Sequence, residues 1–447
     1  MSLDRLIEQA AAALAKAPVD HWEVYASEGE ALTIGVRDGQ VDKFQASSSV
    51  AAAFRVLVGG RMGFAYLHGE GAEATQAAVN QAVAAAAAAD PIPELSLPGP
   101  AGDLPEVASY DPMVLEESEP DRIERARRLA AAALEADPRV KKVQPAQVTS
   151  GAGQARLVNS LGLNVSHRAT SVGAMVAVMA GENGEQEQGY EGESARFLAD
   201  LDVEKVGRMA GLRAAGALGG KPVGDGRYDI VLENGVVADF LGILAPSFTG
   251  DNIYKGRSLL AGRLGEQVVG QVLTLVDDAH YPKGPGSTPF DGEGTPTGQT
   301  VLLDQGRLSN FVYDRLYGAL AGKASTGNAA RGGVGAPPGL GFNNLILKPG
   351  QASLDDLLAD MNNGLMITEI LGGHTADPVS GEFSFGAAGF LVEAGKISRP
   401  VKSIAIAGQV LDFLGSATAA ANDLRFFGKA GCPSVLVRGV SVSGPGA

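Results

Sequence analysis

Residues 283–295 read Lys-Gly-Pro-Gly-Ser-Thr-Pro-Phe-Asp-Gly-Glu-Gly-Thr, and neither a regular helix nor a regular strand suits this stretch. It contains four glycines, two prolines and two carboxylates. Glycine opens backbone conformations that other residues avoid, and proline removes a backbone donor, so this composition predicts a shaped loop. We expect the backbone of this loop to lie close to another part of the molecule or to a ligand.

Two further stretches accompany this loop, Ala-Gly-Arg-Leu-Gly-Glu-Gln at 261–267 and Gly-Glu-Phe-Ser-Phe-Gly-Ala-Ala-Gly-Phe at 381–390. Together with residues 283–295 they resemble the TldD/PmbA peptidase family, and within it the PmbA branch, also called TldE. The resemblance spans nearly the whole chain and is strongest after Gly226. It implies a metalloprotease homologue with a role in proteolysis or peptide maturation.

The same resemblance draws attention to a missing metal motif. TldD-like members carry His-Glu-x-x-x-His upstream of the stretch that matches 261–267, and a later cysteine joins its histidines as a metal ligand. Counting back without gaps, the motif positions here hold Leu241, Gly242 and Pro246. Leucine and proline side chains offer no lone pair to a cation, and glycine cannot replace the glutamate that activates water. The resemblance therefore implies the metal-free sister of the active branch.

We expect such a sister to be a non-catalytic subunit that processes unfolded peptides or small proteins only together with a metal-bearing partner. The TldD-like partner would form a heterodimer with this chain and carry a zinc-like metal, while this chain itself holds no cofactor. A homodimer is the alternative assembly. Two other functions stay open, an independent hydrolase with an unrecognised site and a non-enzymatic binding or scaffold protein.

Length and composition limit the number of domains, the class of ligand and the cellular compartment. At 447 residues the chain exceeds a single hydrophobic core, and no segment is long and apolar enough to cross a bilayer. A formal net charge of −15 argues against nucleic-acid binding, which needs a concentrated basic face. The single cysteine, Cys432, excludes an internal disulfide and fits a reducing compartment, so we expect a cytoplasmic protein.

The order of helix, strand and turn signals along the sequence predicts an α+β fold with four parts. Residues 1–90 form a helix and antiparallel-sheet unit, residues 91–120 a Pro-rich connector, residues 121–225 a second α/β unit, and residues 226–447 a β-rich C-terminal domain. In the second unit, Ser118 with Asp121 is typical of a capped helix start, and strands are expected at 140–150 and 154–158.

The two N-terminal units follow the same order of elements, which indicates a duplication. The turn at Gly59 and Gly60 matches the one at Asn183 and Gly184, at an offset of 124 residues (183 − 59). Tyr66 and Tyr190 share that offset (190 − 66). Side-chain identity between the halves is poor, so coincidence is the alternative.

Candidate chemistry concentrates in the glycine-rich loop. Asp291 and Glu293 lie two residues apart, which on an extended backbone places both carboxylates on one side, as an acid and base pair requires. Turn geometry is the simpler interpretation, and contact with a peptide or partner is the functional one. Ser287 and Thr288 join them as candidates for peptide or partner binding.

No local metal site is visible in the sequence. The five histidines are widely spaced, and a site assembled from distant residues would need a pair such as His374 and Cys432. Cys432 falls near the place of the third metal ligand in the active branch. Without imidazole partners we interpret it as a buried small hydrophobe, either structural or a relic ligand.

Overall fold

A six-stranded antiparallel sheet forms the N-terminal half of the protein, and two six-stranded sheets and one two-stranded sheet form the C-terminal half. These features come from a computed structural model that describes residues 3–444. The helices are α1 Leu3–Leu14, α2 Ala72–Ala88, α3 Met113–Glu116, α4 Glu119–Glu135, α5 Val203–Ala217, α6 Asn234–Leu244, α7 Gly250–Tyr254, α8 Arg315–Leu320, α9 Leu354–Met361 and α10 Val410–Gly415.

The longest strands lie in the N-terminal half, and one of the two six-stranded C-terminal sheets is built from short strands. They are β1 His21–Arg37, β2 Gln40–Val58, β3 Arg61–His68, β4 Val140–Asn159, β5 Asn164–Glu182, β6 Glu185–Ala195, β7 Gly226–Leu232, β8 Leu275–Asp278, β9 Gln299–Asp304, β10 Arg307–Leu308, β11 Ala329–Ala330, β12 Gly339–Leu340, β13 Leu345–Leu347, β14 Gly364–Leu371, β15 Glu382–Glu393, β16 Lys396–Gln409, β17 Ala417–Ala420, β18 Arg425–Phe427, β19 Ala430–Cys432 and β20 Val435–Ser443.

The N-terminal sheet is built from two similar halves. Its order is β3-β2-β1-β4-β5-β6, and β1 pairs with β4 at the centre. Each half supplies a helix, three strands and a second helix, in that order. Both predicted turns, Gly59 with Gly60 and Asn183 with Gly184, have positive φ at both positions, as tight hairpins require. The repeated order expected from the sequence is therefore present, and the mixed α+β fold is confirmed.

The predicted break in the fourth strand is wrong. The sequence suggested separate strands at 140–150 and 154–158, but β4 runs without interruption across Gly151 and Gly153. A Cβ on Gly151 would lie 2.8 Å from the carbonyl oxygen of Glu30 on β1. The glycine therefore allows a close approach of two strands, whereas the sequence pattern alone suggested a turn.

The two faces of the N-terminal sheet have different neighbours. On β1, Val24 and Ala26 face α1 and α2, where they are fully buried. Glu23 and Tyr25 point to the opposite face, as alternation along a strand demands. That opposite face receives loops of the C-terminal half, with Phe290 packed in a cluster beside β4 and β5. The sheet therefore supports the glycine-rich loop directly.

The connector reaches the second half with little regular structure of its own. Residues 91–112 contain no helix or strand, and all of them lie in the described part of the chain. The side chain of Ser118 accepts a hydrogen bond from the Asp121 amide and caps α4, as predicted. No helix within residues 3–444 combines the length and apolarity needed to cross a membrane.

The C-terminal half is rich in short strands, as expected. One sheet has the order β16-β15-β14-β7-β20-β17 and the other has the order β10-β9-β8-β13-β19-β18. Helix α6 packs in the core beside them, where Phe240 stacks on Phe413 at a centroid distance of 4.6 Å. Tight turns with positive φ follow β9 at Gln305 and Gly306 and β15 at Ala394 and Gly395. This packing fixes the position of α6 and of the hairpin β18–β19.

Candidate functional site

The positions that correspond to the metal motif lie at the end of α6. Leu241 is buried in the core and lines a small apolar cavity with Leu244 and Leu414. Gly242 is exposed, and a Cβ there would meet no heavy atom within 4 Å. Pro246 follows the end of the helix and lies in a 3-10 turn, Ala245–Phe248, consistent with its inability to continue an α-helix. None of these positions presents a donor for a metal ion.

Cys432 ends strand β19 and is fully buried in the same core as α6. Burial, with a smaller effect of the Asp239 carboxylate, raises the pKa of its thiol to about 12. The thiol by itself therefore stays protonated at neutral pH. Within residues 3–444, no group of three histidine, cysteine, aspartate or glutamate side chains is placed to hold a metal ion. These residues do not fit a zinc site.

The histidines are dispersed over the structure. His374 lies exposed in the turn Gly373–Thr375, in contrast to the buried Cys432. His280 forms a 3.1 Å hydrogen bond with Thr297. His167 packs edge-on against Phe290, and burial, with a smaller effect of the Arg196 charge, lowers its pKa to about 4. His167 is therefore neutral at physiological pH.

Asp291 binds the backbone of its own loop. One carboxylate oxygen accepts hydrogen bonds from the amides of Glu293 and Thr295, and the other accepts one from the Ala329 amide. The chain turns here, with Gly294 at a φ of 81°, so the expected extended arrangement of Asp291 and Glu293 is wrong. Burial raises the pKa of Asp291 to about 7, although these three amides oppose the rise. This carboxylate shapes the loop.

Glu293 points away from Asp291 into a buried set of four charged residues, which we call the interdomain charge cluster. Arg55 donates to Glu293 at 2.9 Å and to Glu23 at 2.7 Å. Arg331 donates to the other oxygen of Glu23. Burial acts to lower the pKa of Arg55, but the two carboxylates outweigh it and raise that pKa. The cluster joins β1 and β2 to the glycine-rich loop.

The hydroxyl groups of Ser287 and Thr288 also form hydrogen bonds that stabilise the loop. The Ser287 hydroxyl donates to the carbonyl of Tyr281 at 2.7 Å and accepts a bond from Asn344. The Thr288 hydroxyl donates to the carbonyl of Phe290. The side chains of Ser287, Asp291 and Glu293 are all buried. Binding of a peptide or partner by these residues stays a prediction, and their present contacts support the shape of the loop.

Three consecutive family domains match the chain. They are domain 1 of the PmbA/TldA metallopeptidases at residues 22–86, their central domain at 114–218 and their C-terminal domain at 225–444. The chain belongs to the PmbA/TldD family, on its PmbA branch. The expected resemblance is thus confirmed over both halves of the molecule.

Individual PmbA/TldD relatives agree with this assignment. Metalloprotease PmbA of Escherichia coli O157:H7 is 28% identical over 447 residues, covering 98% of this chain and 96% of that protein. A Haemophilus influenzae protein named as a metalloprotease TldD homolog is 30% identical over 250 residues, covering 54% of this chain and 52% of its own length. TldE from Thermococcus kodakarensis has a TM-score of 0.89 over 99% of both chains at 23% identity, which shows the shared fold.

Sequence reasoning missed the residues that hold this loop in the PmbA-branch protein. Asn344 accepts a bond from the Gly286 amide, and Asn343 donates to the buried carboxylate of Asp277. Burial raises the pKa of Asp277 to about 6, while its amide donors oppose the rise. The adjacent asparagines were the only signal in the sequence. Nothing in it showed that they lie beside a loop some sixty positions away.

Proposed function

We propose that this protein is the metal-free, non-catalytic subunit of a TldD/PmbA-type peptidase complex. The observation that carries the proposal is the donor set at the end of α6, where Leu241, Gly242 and Pro246 offer no ligand. A zinc peptidase needs nitrogen, oxygen or sulfur ligands and a base that activates the bound water. These positions supply neither, so in this proposal the metal and the base come from a partner.

The surroundings of Cys432 support the same proposal, because the side chain is fully buried and, within residues 3–444, belongs to no group of three side chains that could hold a metal ion. A catalytic zinc ion needs three protein ligands, and a single thiol is too few. Cys432 is instead packed among apolar side chains of the core. Its role in this chain is structural.

The partner in this proposal is a TldD-like subunit with a zinc-like metal. A homologue named for TldD shares sequence with this chain, and related folds provide related surfaces for pairing. The substrates are unfolded peptides or small proteins, and the reaction is proteolysis, including peptide maturation. The compartment is the cytoplasm, where a lone cysteine stays reduced.

The test is to purify this chain, the TldD-like protein of the same organism, and the two together. Metal content is measured by mass spectrometry and cleavage by the release of fragments from an unfolded protein. We expect metal in the TldD-like protein alone, a stable complex on size-exclusion chromatography, and cleavage that needs both chains. A partner that lacks its metal-motif histidines is the matched control and is expected to form the complex without cleaving.

Two results would overturn the proposal. The first is stoichiometric metal in the isolated chain with cleavage that a chelator abolishes, which would make it an independent hydrolase. The second is failure to form a complex with the TldD-like protein. A homodimer without peptidase activity would then favour the binding or scaffold function.

A further inference from the structure

The outer edge of strand β2 is only partly covered. Strand β3 pairs with β2 at residues 51–58, and the Gly69 amide then donates to the carbonyl of Val50 at 2.8 Å. Within residues 3–444, no strand pairs with this edge on the N-terminal side of Val50. The carbonyl of Val50 therefore marks the outer side of the strand at the point where its cover ends.

The uncovered stretch presents backbone hydrogen-bonding groups to solvent. Alternate residues of a strand direct their N–H and C=O to the same side, and the pairing with β1 is regular here, so Phe44, Ala46 and Ser48 share the outer side with Val50. Residues 44–49, which we call the open edge, are all exposed and include neither a charged residue nor a proline. Natural proteins usually protect an edge with such residues or cover it.

The duplication of the N-terminal half provides an equivalent edge on β5. The offset of 124 residues that relates the two tight turns also relates the pairing of the strands. Ala53 on β2 pairs with Tyr66 on β3, and Ala177 on β5 pairs with Tyr190 on β6 (177 − 53 and 190 − 66). Positions on β2 and β5 can therefore be compared one by one.

On β5 the equivalent edge is occupied by the connector. At the same offset, Phe44 and Ala46 correspond to Arg168 and Thr170 (168 − 44 and 170 − 46). The Thr170 amide donates to the carbonyl of Ser109 at 2.9 Å, and the Ser109 hydroxyl donates to the carbonyl of Arg168 at 2.8 Å. A polypeptide segment without regular structure thus binds backbone to backbone at the counterpart of the open edge.

Side chains of β5 also hold the connector in place. The guanidinium of Arg168 lies 4.0 Å from the centroid of the Tyr110 ring, and the Thr170 hydroxyl accepts a hydrogen bond from the Asp111 amide. The two corresponding residues of the open edge are a phenylalanine and an alanine, which offer neither a cation nor a hydroxyl. A segment at the open edge would therefore be bound through its backbone, which tolerates many sequences.

A groove of about 430 Å³ adjoins the open edge. Its lining runs from Ala46 across Leu32 on β1 to Ser150 on β4, and Leu115 of α3 contributes to it. Phe44 also lines it and is 50% exposed. Side chains of a strand alternate between the two faces of a sheet, so every second side chain of an added strand would lie on this face, where apolar ones pack against Phe44.

We propose that the open edge binds an unfolded segment of the peptide substrate as an added strand. This inference rests on the proposed function, because it takes the ligand to be the substrate, and it names the surface that receives it. A dedicated segment of a partner protein would be expected to have side-chain anchors, as the connector has on β5. Uncharged surface and recognition through the backbone suit a ligand of variable sequence.

Fluorescence anisotropy with the isolated full chain tests whether binding depends on the peptide backbone. The probe is a labelled peptide of alternating valine and threonine, as long as the open edge. Its analogue has four consecutive central amides N-methylated, which removes backbone donors and leaves the side chains unchanged. We expect the analogue to bind at least tenfold more weakly, the scale of one or two net hydrogen bonds.

A substitution at Ala46 tests whether the open edge is the site. Ala46→Pro removes an amide that points away from β1, and proline is tolerated where the amide of an edge strand faces solvent. We expect this variant to bind the unmodified peptide at least tenfold more weakly than the wild-type chain. Ala46→Val is the matched control, because it keeps the amide, and its affinity should stay within about twofold.

Disulfide trapping locates the peptide without relying on the folding of the proline variant. Ser48→Cys places a thiol on the open edge, and we expect it to capture a peptide that carries one cysteine. Gly102→Cys is the control, because this position is exposed in the connector. The native Cys432 is fully buried and does not compete for the peptide.

Equal binding of the two peptides, no binding of either, or equal trapping at Ser48→Cys and Gly102→Cys would overturn the inference. So would an Ala46→Pro variant that binds peptide normally but no longer forms a complex with the TldD-like protein, since the edge would then be a subunit interface. The proposed function fails on a different result, metal-dependent cleavage by the isolated chain. The two failures are therefore distinguishable.

Discussion

Arg55 on β2 and Glu293 in the glycine-rich loop form a 2.9 Å ion pair whose side chains are each only 6% exposed. The pair crosses from the N-terminal sheet to the C-terminal half. Arg55 also binds Glu23 on β1, so one guanidinium holds two carboxylates from distant parts of the chain. The loop is therefore attached to the sheet by charge as well as by the packing of Phe290.

Removing the Arg55 charge should destabilise the protein strongly. Arg55→Met leaves Glu23 and Glu293 buried with a single cation, Arg331, and the loss of one member of a buried pair costs about 3–5 kcal/mol. Urea unfolding followed by fluorescence of the only tryptophan, Trp22, reports on the affected strand. Arg37→Met is the control, because the Arg37–Asp42 pair is largely exposed and should be worth less than about 1 kcal/mol. If both variants lost the same free energy of unfolding, the buried cluster would stabilise the fold no more than an exposed ion pair does.

The buried carboxyl of Asp291 predicts a pH-dependent difference between wild type and Asp291→Asn. The folded-state pKa is raised to about 7, above its unfolded value, so the native state binds the proton more tightly. The stability from this group is present at low pH and is lost as pH rises towards 7. The amide variant cannot titrate, so its deficit relative to wild type should shrink by about 2–3 kcal/mol from pH 5 to pH 8, since each pKa unit is worth 1.36 kcal/mol. Urea unfolding of both proteins at pH 5 and pH 8 measures this difference in stability. The same difference at both pH values would contradict the prediction.

Cys432 should be inert both chemically and functionally. Because the thiol is fully buried and its pKa is raised to about 12, a thiol reagent should label it only after unfolding. Cys432→Ser should leave the peptidase activity of the complex within a few fold. A loss of about a hundredfold, the scale seen when support of a metal site is removed, would assign the thiol a role in the metal site. The denatured protein, with one reactive thiol per chain, is the control for labelling.

Gly242→Ala should stabilise the chain. Gly242 lies inside α6 in open space, and alanine is favoured over glycine in a helix by about 0.5–1 kcal/mol. Thermal denaturation measures the gain. Gly63→Ala is the contrasting variant, because its Cβ would lie 1.8 Å from the Ala82 carbonyl oxygen and should destabilise. If Gly242→Ala instead abolishes cleavage by the complex, the partner approaches this helix closely and the surface is not free.

Local features of the fold were readable from the sequence because they depend on neighbouring residues. The cap at Ser118 and the turns at Gly59 with Gly60 and at Asn183 with Gly184 follow from residue types a few positions apart. The predicted break near Gly151 failed because its cause is the approach of Glu30, on a strand far away in sequence. Glycine in a strand has two explanations, and local pattern does not separate them.

The candidate site was readable only in part for the same reason. The glycine-rich loop and the motif positions on α6 were located, but the partners of Glu293 were not. Arg55 is 238 positions away from Glu293, and Arg331 is 308 positions away from Glu23.

The interdomain charge cluster also limits which parts of relatives are interchangeable. Each half of the molecule brings one acid and one base to it, Glu23 with Arg55 and Glu293 with Arg331. If a chimera takes its N-terminal half from another family member, the charges of the cluster balance only when that half has an acidic residue at position 23 and a basic residue at position 55. A functional recombinant of two family members would therefore keep all four charged positions together. Substitutions in strand β2 are thus coupled to substitutions in a loop that is distant in sequence.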